Sequence, residues 1–226
     1  MLGDPVQETR ELSFRPGDGE AFRMVNQSGD VDVAAYHGME VRVDATVLGP
    51  TDASVDAVAV NGESRGGEFV VETVYEGEKR RASVDLAVRV PADVPVAGVR
   101  TRNGDVAARD VAGGQHFESE NGDVTVRGVE SVSVARTRNG DVRADVPAPL
   151  SGDATVESEN GDVTAALSPD LSAMVDARTT NGRVDVEDLD LGDASVSGKH
   201  VTGRLGDGAH EVSVATTNGD VVLESL

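Results

Sequence analysis

A four-residue motif, Asn-Gly-Asp-Val, recurs through the latter part of this chain and constrains its fold more than any other feature. It stands at Asn103–Val106, Asn121–Val124, Asn139–Val142, Asn160–Val163 and Asn218–Val221, and Asn-Gly-Arg-Val stands at Asn181–Val184. The asparagines at 103, 121, 139, 160 and 181 follow one another at intervals of 18, 18, 21 and 21 residues. A period near 20 residues marks a solenoid, in which each repeat buries its apolar face only against its neighbours. The interval from Asn181 to Asn218 is 37 residues, divided by a weaker copy, Thr202-Gly203-Arg204-Leu205. Ser28-Gly29-Asp30-Val31 is an upstream relative.

Asn-Gly is also a strong signal for a hairpin between antiparallel strands, and the flanking residues decide between the two. Every second residue before each Asn reads apolar, then hydroxyl: Val99 and Thr101, Phe117 and Ser119, Ala135 and Thr137, Val156 and Ser158, Ala177 and Thr179, Val214 and Thr216. The same parity continues after the turn with Val106, Val124, Val142, Val163, Val184 and Val221. This period of two predicts strands whose small and apolar members face one interior. On the opposite face Arg100 and Arg102 are followed by Glu118 and Glu120, Arg136 and Arg138, Glu157 and Glu159, then Arg178 with Thr180. Sign alternates from copy to copy. Parallel rungs about 4.8 Å apart place each arginine pair between glutamate pairs, whereas in a run of hairpins equivalent positions are not neighbours. The stack therefore sets Arg178 beside Glu157.

In that arrangement Asn103, Asn121, Asn139, Asn160, Asn181 and Asn218 form a structural ladder at an inward corner, amide bonded to amide. The glycine after each allows the positive φ of the turn. The two longer intervals expand at Pro147-Ala148-Pro149 and Ser168-Pro169-Asp170, where proline lacks a ladder N–H and the chain loops outward. Upstream, the segments around Glu40–Val47, Ser54–Val60, Glu68–Tyr75 and Ser83–Val90 read as strands without the motif. The expected organisation is one solenoid over 1–226. Residues 1–96 form an N-terminal cap and irregular first rungs, and 97–226 the regular ones. A bare parallel edge invites aggregation, so a cap is expected at the start, and at the end an edge that is short, charged by Asp220 and Glu224, or covered by self-association through the terminal rung.

Composition narrows the function. The chain carries 41 acidic against 20 basic residues, a net charge of −21, with no cysteine and no tryptophan, and its only lysines are Lys79 and Lys199. That composition excludes a disulfide framework and thiolate metal sites and argues against nucleic acid as a partner. Such a surface repels itself in dilute buffer and suits concentrated salt, where the Debye length falls to about 3 Å near 1 M. No apolar run approaches the roughly 20 residues of a membrane span. The start, Met1-Leu2-Gly3-Asp4-Pro5, lacks the basic and apolar regions of a secretory signal.

The run Asp85-Leu86-Ala87-Val88-Arg89-Val90-Pro91, the copies Thr101-Arg102-Asn103-Gly104-Asp105-Val106 and Thr179-Thr180-Asn181-Gly182-Arg183-Val184, and the ending Thr216-Thr217-Asn218-Gly219-Asp220-Val221-Val222-Leu223 resemble the DUF4097 family of adhesin-like β-strand repeat proteins. The resemblance extends from about Arg23 onward. The acidic, lysine-poor composition is similar to that of haloarchaeal members. The resemblance implies a right-handed parallel β-helix-like fold and an adhesive role at an extracellular or cell-surface location, with a cytoplasmic one as the alternative. It brings no catalytic residues.

Little else in the sequence points to chemistry. Asp105, Asp123, Asp141 and Asp162 would form a row at the corner, but calcium takes about six to eight oxygens and the calcium-roll motif is absent. Asp also favours the turn through bonds to the backbone. His37, His116, His200 and His210 share no metal-ligand spacing. Nucleophile-elbow and phosphate-loop patterns are missing. Glu118, Glu120, Glu157 and Glu159 could serve as paired carboxylates for glycoside cleavage, but a carboxylate flanked by arginines is a poor general acid. No catalytic residue, metal or cofactor is expected. The sequence reads as an all-β protein, a right-handed parallel β-helix or β-solenoid with rungs of 18 to 21 residues. It would present the Arg100, Arg102, Glu118, Glu120, Arg136, Arg138, Glu157, Glu159 and Arg178 face to a protein or glycan partner. The alternative is a carbohydrate-binding or carbohydrate-active β-helix.

Overall fold

Branched valines at alternate positions favour extended backbone and pack well on a pleated surface, and most of the chain is strand. The computed structural model describes residues 5–76 and 82–226; Met1–Asp4 and Lys79 lie outside them. The chain opens with β1 (Val6–Phe14) and a first rung, β2 (Ala21–Val25) and β3 (Val31–Tyr36). β4 (Val41–Gly49) turns back, and the short helix α1 (Asp52–Asp56) leads to β5 (Val58–Arg65), β6 (Glu68–Tyr75) and β7 (Ser83–Pro91). The strand expected from Ser54 thus begins only at Val58. Thr51 and Ser54 cap each other's backbone in a capping box, and the preceding residues take a helical turn instead.

The regular rungs follow as strand pairs: β8 (Val96–Asn103) with β9 (Val106–Arg109), β10 (Gly113–Asn121) with β11 (Val124–Arg127), β12 (Val134–Asn139) with β13 (Val142–Val146), and β14 (Ala154–Asn160) with β15 (Val163–Leu167). The chain ends with β16 (Ala173–Asn181) and β17 (Val184–Glu187), the hairpin of β18 (Gly192–Ser197) and β19 (His200–Leu205), and a last rung of β20 (His210–Asn218) and β21 (Val221–Ser225). Two parallel-rich sheets result. One runs β1-β4-β7-β3-β9-β11-β13-β15-β21-β17, the other β18-β19-β16-β20-β14-β12-β10-β8-β2-β6-β5. Together they make a β-solenoid-like fold.

Spatial order departs from sequence order at both ends. The β2/β3 rung lies between the β6/β7 and β8/β9 rungs. The β20/β21 rung lies between the β14/β15 and β16/β17 rungs. After β15 the chain skips a level at Ser168–Ser172, forms β16 and β17, and folds back through β18 and β19. It then fills the skipped level from the other side of β16.

Three expectations are corrected by this. Arg178 does not follow Glu157, because Ala215 stands between them, paired with both. The weak copy Thr202–Leu205 belongs to β19, which pairs antiparallel with β16 as a cap and is no rung. The closing strand is internal, so the free edges at that end are β17 and β18, and no terminal rung of β21 is available for self-association.

A column of valines, Val106, Val124, Val142, Val163, Val221 and Val184, runs through the interior, each at most 6% exposed. Facing them are Val99, Phe117, Ala135, Val156, Val214 and Ala177, with small Ala135 beside the buried ring of Phe117. Complete burial of each large apolar side chain contributes about 1.5–3 kcal/mol. One buried cluster extends from Phe22 to Leu223.

Candidate functional site

Each letter of the repeat answers one backbone or side-chain group on the neighbouring rung. The hydroxyl two residues before Asn is buried and donates to the glycine carbonyl of the adjacent rung: Ser119 to Gly104 at 2.8 Å, Thr137 to Gly122 at 2.7 Å, Ser158 to Gly140, Thr216 to Gly161 and Thr179 to Gly219 each at 2.8 Å. The Asn carbonyl accepts from the glycine N–H of the preceding rung, as Asn139 does from Gly122 at 2.8 Å. The Asp carboxylate accepts the next Asp N–H, Asp105 from Asp123 and Asp123 from Asp141 at 2.8 Å. At Gly161, with φ 149°, a Cβ would overlap the Gly140 carbonyl oxygen, so only glycine fits. The backbone of the corner is thereby satisfied without water.

The asparagine amides bond in one continuous line. Asn121 donates to Asn103 at 3.0 Å, Asn139 to Asn121 at 2.8 Å, Asn160 to Asn139 at 3.0 Å, Asn218 to Asn160 at 2.8 Å and Asn181 to Asn218 at 2.9 Å. The inward placement is corrected. All six asparagines are exposed, because the chain leaves the sheet plane at the turn and the hydroxyl is the last inward residue. Asn218 sits between Asn160 and Asn181, following the inserted rung.

The aspartate row is occupied by its own backbone. Asp105, Asp123, Asp141 and Asp162 each spend Oδ1 on a neighbouring N–H, and no cluster fit for a metal ion occurs among the described residues.

The outer face of the eleven-stranded sheet carries the charged stripe. Glu118 stands between Arg100 and Arg136, and Arg136 beside Glu157. Ion pairs link Arg100 to Glu118 and Glu120 at 3.7 Å, Arg102 to Glu120 at 3.3 Å, Arg136 to Glu118 at 2.8 Å and Arg138 to Glu159 at 3.4 Å. Beyond Glu157 and Glu159 the inserted rung presents Ala215 and Thr217, and Arg178 pairs with Asp176 of its own strand at 3.2 Å. Four arginines and four glutamates thus form a neutral stripe on a chain of net charge −21. A shallow concavity of about 340 Å³ lies over it, lined by Glu118, Arg136, Arg138, Glu157, Glu159 and Thr217 among others.

Nearer the N-terminal end, Arg23 of β2 grips Glu68 of β6 through two bonds, 2.6 and 2.8 Å. The hydrogen bond from Arg23 holds the Glu68 carboxyl below its ordinary range. Of the six aromatic residues, Phe22, Phe69 and Phe117 are buried and Phe14, Tyr36 and Tyr75 half-buried. The motif's hydroxyl was legible only as an inward polar residue; its carbonyl partner follows from the parallel stack.

A crystal structure of a candidate cell adhesion protein from Clostridium sporogenes is similar in fold, with a TM-score of 0.54 at 12% identity over 99% of this chain and 100% of that one. A candidate adhesin from Parabacteroides distasonis gives a TM-score of 0.47 at 12% identity over 99% and 98%. Identities this low speak to the fold alone. No curated protein matches the sequence. The family model described as Toastrack DUF4097 matches residues 16–224, and this chain belongs to that family.

Proposed function

We propose that the protein is a non-enzymatic, adhesin-like scaffold that presents the Arg/Glu stripe of its eleven-stranded sheet to a protein partner. The observation that carries this reading is the stripe itself. It is a place where a chain of net charge −21 offers a neutral, shallowly concave surface made of side chains already paired with one another. A stack whose corners are fully hydrogen-bonded holds those side chains in place before contact, which lowers the ordering cost of binding. A long-range repulsion that keeps most acidic surfaces away is absent there. The names of the structural neighbours point the same way. The carbohydrate reading has less support, because no aromatic ring stands exposed as a stacking platform.

The test is adhesion of beads coated with the full chain to cell surfaces. Arg100→Ala, Arg102→Ala, Arg136→Ala and Arg138→Ala combined should abolish attachment while the chain stays folded at the assay temperature, as circular dichroism checks. Attachment that survives the four substitutions contradicts the stripe as the contact face, and turnover of a polysaccharide by the pure chain contradicts the non-enzymatic reading.

A further inference from the structure

The other sheet treats its charges differently. Along one level of its outer face, strand neighbours set Arg42 beside Arg89, Arg89 beside Ala34, Ala34 beside Arg109 and Arg109 beside Arg127. One residue beyond the Val126–Ala144 pairing, Arg127 meets Asp145, and the row continues through Ala166 and Glu224 to Glu187. Arg42/Arg89, Arg109/Arg127 and Glu224/Glu187 are like charges placed directly side by side, an arrangement that destabilises a sheet. The eleven-stranded sheet avoids it by alternation. Arg109 and Glu224 are paired with Asp32 and Arg143 of the neighbouring level, but among the described residues Arg89, Arg127 and Glu187 have no ion-pair partner, and Arg42 lies over the Tyr36 ring at 5.3 Å. A local rule broken repeatedly along one row calls for a compensating contact.

From β4 to β17 the row reads plus, plus, neutral, plus, plus, minus, neutral, minus, minus. It is antisymmetric about β11: Arg42 mirrors Glu187, Arg89 mirrors Glu224, Ala34 mirrors Ala166, and Arg109 mirrors Asp145. We propose that this face binds a second copy of the same chain, sheet against sheet, about a two-fold axis that lies between the faces, parallel to the strands and over β11. Such an axis reverses the strand order, so the arginine end of each copy meets the carboxylate end of the other. The neighbouring level carries the short side chains Ala87, Ala107, Thr125, Thr164 and Val222; its Asp32 and Arg143 are drawn onto Arg109 and Glu224 of the charged row, which keeps the relief low for sheets about 10 Å apart. Three attractive pairings, each formed twice, outweigh the single axial contact of Arg127 with its copy and the rim pairing of Asp44 with Asp185. Contact pairs at about 4 Å lie inside the Debye length of about 8 Å at physiological salt, whereas the repulsion between whole chains is largely screened. The striped faces then point outward on both sides of the pair, which makes a two-site adhesin capable of avidity.

Sedimentation velocity of the full chain at physiological salt tests this independently of any adhesion partner. Wild type should form a dimer at concentrations up to about 0.1 mM, the range of weak specific contacts. Arg42→Glu alone and Glu187→Arg alone should each weaken it about 10-fold or more, a loss of about 1.4 kcal/mol or more. An equimolar mixture of the two variants should recover the dimer, because each mirrored pair again joins opposite charges. Arg138→Glu, on the other sheet, should leave the dimer unchanged. Both test positions are exposed and make no ion pair among the described residues, so folding is expected to persist and is checked by circular dichroism. A monomeric wild type, a dimer indifferent to both variants, or a mixture that stays monomeric would each overturn the proposal.

Discussion

Replacing Thr137 with valine removes one hydroxyl from the interior and leaves the side-chain volume nearly unchanged. Thr137 is 5% exposed and its hydroxyl lies 2.7 Å from the Gly122 carbonyl, whose partner it is. The valine strands that carbonyl in an apolar setting, at a cost of about 1–3 kcal/mol. A chain of this length loses about 2–4 °C of melting temperature per kcal/mol, so the expected drop is about 2–12 °C. Asn139→Ala is the matched comparison. It deletes two amide bonds, to Asn121 and from Asn160, but on an exposed corner where water replaces them, so the loss is about 1 kcal/mol or less. Thermal unfolding of both variants, followed by circular dichroism and by calorimetry, decides the order. A larger loss for Asn139→Ala than for Thr137→Val would mean that the asparagine, and not the hydroxyl, faces the interior.

Gly161→Ala forces a left-handed φ and an overlap with the Gly140 backbone, and should destabilise by more than about 3 kcal/mol; Gly152→Ala, in open space, should be neutral in the same denaturant titration. Because Arg23 holds the Glu68 carboxyl below its ordinary value, the pair contributes stability above the unfolded-state value that is lost as pH falls through the folded one. Glu68→Gln should therefore flatten the acid limb of the stability curve, and an unchanged limb would count against the contact. Arg136→Ala should cost about 0.2–1 kcal/mol, since its side chain is half exposed, and the difference from wild type should shrink in 1 M salt.

The sequence shows the stack because its periodicities agree: strand parity, a repeat near 20 residues and charge alternation all require parallel rungs in register. The end of the stack is less legible for a specific reason. Placing Arg178 beside Glu157, or neutral Ala215 between them, leaves no like-charge conflict, so the charge pattern accepts either order of the last two rungs. What distinguishes the two is the room for the hairpin Gly192–Leu205, a long-range constraint with no local signature. The asparagines mislead in another way: parity places them inward, but parity holds only while the chain stays in the sheet plane, and the Gly-Asp turn ends it at the hydroxyl. The helix at Asp52–Asp56 rests on a capping box of Thr51 and Ser54, while the apolar alternation from Val58 onward has the strand period. The segregated row of Arg42, Arg89, Arg109 and Arg127 could not be assembled from sequence, since β4 and β7 join the sheet outside the repeat and β3, from earlier in the chain, stands between β7 and β9.

The inserted last rung is tested most directly by disulfide trapping, in a chain with no cysteine of its own. Neighbouring parallel strands bring Cα atoms to about 4.8 Å, within the roughly 4.4–6.8 Å that a disulfide spans, whereas two levels lie about 9.6 Å apart. Oxidation of Glu157→Cys/Ala215→Cys should give an intramolecular crosslink by intact mass and thiol titration, and Glu157→Cys/Arg178→Cys should remain reduced. A crosslink in the second pair and none in the first would place the rungs in simple sequence order and contradict the insertion.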